Sequence, residues 1–153
     1  MQLGVGPTNY IRVNPIVIFQ LIYTGALTKS VACDELEKIA KSSRQRNMKH
    51  GITGILICKD GSVLQVLEGK KKDVTNLYGR ISIDPRVVDP LVLIKRTSTH
   101  REFPNWSMGY RNADAAPASF ELTANNLSKA LPDDLSPEIN TIGRTFARVN
   151  GLI

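Results

Sequence analysis

The sequence predicts an α+β sandwich, and three observations point there. Apolar, β-branched runs of strand length recur at 16–23, 52–58, 63–67 and 91–94. Between them, two stretches space their apolar residues as helices do, and Asp60-Gly61 joins two of the runs as a hairpin turn would. A chain of 153 residues is the size of one ordinary domain with terminal additions. At 42% hydrophobic and 22% charged residues it has the composition of a folded protein, which excludes a largely disordered chain.

Residues 1–15 carry Gly and Pro breakers, then Asn14-Pro15, and no sustained period, so they read as an N-terminal extension. The run 16–23, closed by Thr24-Gly25, is a strand buried on both faces. From 31 to 47 the stripe Leu36, Ile39, Ala40, Ser43 and Asn47 predicts a helix with Lys and Glu on its outer face. Strands over 52–58 and 62–68 flank the hairpin. A second helix covers 70–83, with Val74, Leu77, Tyr78 and Ile81 inward, and Asp84-Pro85 stops it. Strands over 91–96 and 103–110 follow. The order βαββαββ is the ferredoxin-like arrangement: a mixed five-stranded sheet with two helices on one face. Beyond it, Ala115-Ala116-Pro117 reads as a linker, and 118–130 and 138–150 read as two C-terminal helices, the second started by Ser136-Pro137-Glu138. The expected division is therefore 1–15, a domain over 16–112, and a helical appendage over 113–153.

No stretch approaches the ~18 apolar residues of a membrane span, and the start lacks the charged-then-apolar pattern of a secretion signal. Two cysteines, Cys33 and Cys58, are too few for a disulfide framework and have no neighbours at zinc-ligand spacing, so we expect no metal and a cytoplasmic location. Up to residue 111 there are 17 Lys and Arg against 9 acids; from 112 on there are 3 against 5. The basic body invites a nucleic-acid reading, but its charges are scattered, and Lys70-Lys71-Lys72 reads as a solvated helix start.

Seven positions carry chemistry that a bland core does not need. Gln65 lies in the middle of an apolar run, where a buried amide must be paired or cost about 1–3 kcal/mol. Tyr23 ends the first strand with a hydroxyl that seeks a partner. Asn47 closes the apolar stripe of the first helix, where a simple C-cap is the plain alternative. Trp106 and Met108 alternate along the last strand, ordinarily a core pair. Arg80 and Asp84 have the spacing of a surface ion pair.

Four stretches with this spacing resemble the BLUF family, blue-light sensors that bind FAD, over residues 17–110: Leu21-Ile22-Tyr23; Asn47-Met48-Lys49-His50-Gly51-Ile52-Thr53-Gly54; Leu64-Gln65-Val66-Leu67-Glu68-Gly69; and Phe103-Pro104-Asn105-Trp106-Ser107-Met108. The resemblance implies a flavin ring between the two helices. It makes Tyr23 the donor of an electron and a proton to the excited ring, Gln65 the amide between them, and Asn47 a contact to the ring's polar edge. Arg80 and Asp84 match flavin-side residues of the second helix, and Trp106 and Met108 the pair on the last strand. Arg46 stands where many members carry Asn or His, and points to solvent or to the FAD phosphates. Ile18, Phe19, Ile39 and Ser43 are placed along the ring's flanks by strand and helix faces. The implied readout is a modest red shift with no covalent flavin bond, which leaves Cys58 a small core residue.

The chain is similar to short, stand-alone members that lack an enzyme domain. Such members pass the signal to a separate protein or through their own oligomer; in this chain we expect the last strand and the two C-terminal helices to form the output surface toward a signalling protein or a homo-oligomer, with no nucleic acid and no membrane involved. The competing reading is a flavin-independent interaction module of the same fold, binding nucleic acid or an acidic partner; the colour of the purified protein separates the two.

Overall fold

The computed structural model of the chain describes residues 14–29, 31, 33–112 and 134–151. Its elements are β1 (Ile18–Leu27), α1 (Cys33–Lys49), β2 (Thr53–Lys59), β3 (Ser62–Gly69), α2 (Lys71–Ser82), β4 (Val87–Ser98), β5 (Gly109–Asn112) and α3 (Pro137–Val149). The five strands form one sheet in the order β4-β1-β3-β2-β5. β5 runs parallel to β2 and every other pair is antiparallel, so the sheet is mixed. The α+β ferredoxin-like class holds. The expected helix over 118–130 lies outside the described residues.

Local chemistry accounts for most boundaries. Asp60 and Gly61 both take positive φ, 48° and 77°, as the tight turn of a two-residue hairpin requires. Ser136 caps α3, its hydroxyl accepting from the Ile139 N–H, with Pro137 in the first turn. Lys70 precedes α2 with no side-chain cap, and the Lys71 ammonium sits 5.8 Å over the Phe19 ring.

Three expectations need correction. β1 begins at Ile18, leaving Ile16 and Val17 exposed, and runs on through Thr24-Gly25 to Leu27. Gly25 does not stop it because it still pairs with Val63, while breaks of register against β4 after Ile22 and after Thr24 absorb the strain as a bulge. β4 is longer than 91–96. Residues 103–108 are not a strand: Pro104 and Asn105 lie in a turn, and β5 starts only at Gly109. Trp106 and Met108 therefore do not share a strand face.

The sheet is covered on both sides. Odd positions of β1 and β3, namely Phe19, Leu21, Tyr23, Val63 and Leu67, pack with Leu36 and Ala40 of α1 and Val74 of α2. The intervening Ile22, Leu64 and Val66, with Ile55 and Ile57, pack on the other face against Leu135, Ile139 and Phe146 at α3. A strand reads as a continuous apolar run when both faces are buried, and α3 supplies the second cover. Met108 joins the first cluster and Trp106 the second. Cys58 is a fully buried core residue, and it is disulfide-bonded, which the low cysteine count did not lead us to expect. Among the described residues no helix is long and apolar enough to cross a membrane.

Candidate functional site

Between α1 and α2, above the sheet, lies an open-mouthed cleft. Its walls are largely apolar: Leu36, Ile39 and Ala40 from α1, Leu77 and Ile81 from α2, and Leu56 and Val63 from the sheet floor. A few polar groups converge on it.

The floor holds a buried hydrogen-bond chain. β1 and β3 pair so that Tyr23 and Gln65 are directly opposed, both on the helix-covered face. The Tyr23 hydroxyl donates to Gln65 Oε1 at 2.6 Å. Gln65 Nε2 in turn donates to Met108 Sδ at 3.2 Å. Met108 is held in place because Arg44 Nε donates to its carbonyl oxygen at 3.1 Å. Burial pushes the Tyr23 phenol well above its ordinary pKa, with Tyr78 and Asp84 adding to the effect. The Tyr78 ring lies 5.2 Å from it, centroid to centroid.

Asn47, buried at the end of α1, donates through Nδ2 to the Ser107 carbonyl at 3.0 Å. It is thus more than a helix cap: it ties α1 to the segment carrying Met108. Ile39 and Ser43 line the α1 wall as expected, and Arg46 stands exposed at the rim. Arg80 and Asp84 border the cleft from the α2 side, but they do not pair with each other. Asp84 binds Arg86 instead, accepting from Nη2 at 2.6 Å and Nε at 3.0 Å. These bonds hold its carboxyl at a pKa of about 2.

Of the expected residues, Tyr23, Asn47, Gln65, Met108, Arg46, Ser43, Ile39, Arg80 and Asp84 converge on one cleft. Trp106 does not. It packs on the far face beside Phe103, ring centroids 5.8 Å apart. Ile18 and Phe19 do not line the cleft either; Phe19 is core beneath α2. Arg86 and Leu77 line it unannounced. Arg86 follows the Asp84-Pro85 stop, and a carboxylate two residues before an arginine was the signal available.

Comparison with known proteins agrees with this geometry. The sequence model described as "BLUF: Sensors of blue-light using FAD" matches residues 18–109. The photoactivated adenylate cyclase subunit beta-like protein FB of Euglena gracilis is 32% identical over 95 residues, 61% of this chain and 11% of that protein. This chain thus spans about a tenth of the length of such relatives. Among solved structures, the dark state of the BLUF protein BlrB superposes with a TM-score of 0.62 at 28% identity, covering 86% of this chain and 96% of that one. The photo-activated state of BlsA shares the fold, with a TM-score of 0.63 at 24% identity over 89% of this chain and 95% of that one. With the family's sequence signature matched across residues 18–109 and an amide, a phenol and a thioether joined at the floor of the α1–α2 cleft, the chain belongs to the BLUF family of blue-light sensors.

Proposed function

We propose that this chain holds FAD in the α1–α2 cleft and that its light switch is the hydrogen-bond chain from Tyr23 through Gln65 to Met108. That chain is the observation that carries the reading. The cleft suits the group: its walls are apolar, and several polar atoms lack a hydrogen bond among the described residues. These are Asn47 Oδ1, the second N–H of Gln65, and the guanidinium groups of Arg46 and Arg80. Asn47 and Gln65 would meet the polar edge of a flavin, and the two arginines its phosphates. When bound, FAD supplies a blue-absorbing ring that is strongly oxidising once excited.

The chain's own residues supply the rest. Tyr23 is the electron source, and its hydroxyl proton has a short, direct acceptor in Gln65 Oε1. Because burial disfavours the phenolate, Tyr23 keeps its proton until an electron leaves with it. An amide presents an acceptor at one end and donors at the other, so Gln65 can be held in either of two orientations. Its bond to Met108 is the weak one, since a thioether is a poor acceptor. Reversal of Gln65 would therefore give up little at Met108. Signalling then runs through the Met108 segment, β5 and α3 to a partner protein or a second copy of the chain, with no catalysis of its own. A cytoplasmic location is part of the proposal, with the Cys58 disulfide the observation against it, and cell fractionation decides.

The test is an absorption difference spectrum before and after blue light. The purified protein should be yellow and shift modestly to the red, and Tyr23→Phe and Gln65→Leu should bind flavin without that shift. A colourless protein that refuses added FAD, or variants that shift as the parent does, would sink the proposal.

A further inference from the structure

On the sheet face away from the cleft, a buried polar network begins three residues beyond Gln65. The fully buried Glu68 carboxylate accepts from Gln20 Nε2 at 2.7 Å and from the backbone N–H groups of Glu102 and Phe103 at 2.8 and 3.0 Å. Arg96 Nε donates to Gln20 Oε1 at 2.6 Å, and Arg96 Nη2 reaches Ser136 Oγ at 2.9 Å and Glu102 Oε1 at 3.4 Å. Glu138 Oε2 lies 3.3 Å from Arg96 Nη1. Glu102 Oε1 also accepts from the Ser136 N–H at 3.0 Å.

Ser136 is the N-cap of α3, so Glu102 is the point at which residues 102–108 meet the start of that helix. The other end of the segment is fixed in the cleft through Gln65 and Met108, and Asn47 holds Ser107 beside it. Between these ends Gly54 N–H donates to the Trp106 carbonyl at 2.9 Å, and Phe103 is fully buried. A short segment pinned along its length transmits a displacement instead of absorbing it.

The Glu102 node is also incompletely satisfied. Its side chain is 2% exposed, yet Oε2 has no hydrogen-bond partner among the described residues. A buried carboxylate oxygen without a partner is costly, so a rearrangement that supplies it with one is favoured. The link to α3 is accordingly one that a modest push can change.

Resting on the light-sensor reading above, we propose that Glu102 is a positioning residue that couples the 102–108 segment to the N-terminus of α3, so that rearrangement at Gln65 and Met108 alters how firmly α3 is capped. Glu102 touches nothing in the cleft and leaves the light reaction itself alone. Its role is to make α3 respond.

Hydrogen exchange of the full flavin-loaded chain, in the dark and under blue light, tests this. In the parent, light should change exchange in the first turn of α3. Glu102→Ala should keep the red shift, lose that light-dependent change, and raise α3 exchange about fivefold even in the flavin-free protein, as a lost cap does. Glu102→Gln, which keeps an acceptor for Ser136, should restore part of the response. Ser136→Pro, which removes the N–H that Glu102 accepts from and suits the φ of −59° at that position, reads the same link from the helix side if Glu102→Ala fails to fold, and it too should lose the light response. A red shift in the parent with α3 exchange unmoved, or a Glu102→Ala or Ser136→Pro variant whose α3 still responds, overturns the coupling alone. A parent without any red shift overturns the light-sensor reading as well.

Discussion

Tyr23 sits where a phenol is least able to ionise. It is 3% exposed, bonded to a neutral amide, and faces Tyr78 and Asp84, both of which disfavour a negative charge there. The folded state therefore holds this proton more tightly than the unfolded chain, whose tyrosines titrate near pH ~10. The associated stability is fully present below that pH and is lost as pH rises through the higher folded value. In an ultraviolet titration Tyr23 should ionise last, as the fold gives way. Urea unfolding between pH 8 and 11 should show a decline that Tyr23→Phe makes shallower; equal declines in the two proteins would contradict it. The sequence showed this residue and Gln65 as polar groups in apolar runs, since alternation along a strand reveals the face. It did not show the network of Gln20, Glu68, Arg96 and Glu102. Each of those reads alone as an ordinary polar residue in or near a strand, and only the strand register brings them within hydrogen-bond reach.

At the scale of elements, the two arms of the hairpin were plain because a turn with two positive φ angles has a narrow sequence signature. The segment 103–108 was misread for the opposite reason. Its alternation of Trp106 and Met108 imitates a strand, but Pro104 and Asn105 turn the chain, so Trp106 and Met108 fall on opposite faces of the sheet. Gly54, inside β2, is the element's strictest position. Its φ is 153°, and a Cβ there would lie 1.8 Å from the Val66 carbonyl oxygen, a backbone atom of the neighbouring strand that cannot swing aside. Gly54→Ala should cost about 3 kcal/mol or more, since neither overpacking nor the backbone conformation can be relieved locally. Chemical denaturation measures this directly; a loss under about 1 kcal/mol would show that the two strands can separate without penalty.

For the whole molecule, the decisive feature is a sheet covered on both faces from different parts of the chain. The sequence implied a second cover over β1, whose continuous apolar run reads as buried on both faces, but it could not say which later segment supplies it. Reading the C-terminal region as an appendage suggests that it can be removed with only signalling lost. The packing argues otherwise. Leu135, Ile139 and Phe146 are buried against Ile22, Ile55, Leu64 and Val66, and at roughly 2 kcal/mol for each buried side chain α3 contributes about 6 kcal/mol. A domain of this size is stable by only about 5–15 kcal/mol, so that contribution is a large share of the whole. A chain ending at residue 133 should therefore unfold at much lower temperature or self-associate through the uncovered sheet, visible in thermal melts and size-exclusion chromatography. Phe146→Ala, which leaves the backbone of α3 in place, should cost about 3–5 kcal/mol. A truncated chain that stays monomeric and melts with the parent would mean that α3 rests on the sheet without holding it, and that the two halves of the molecule are energetically separate.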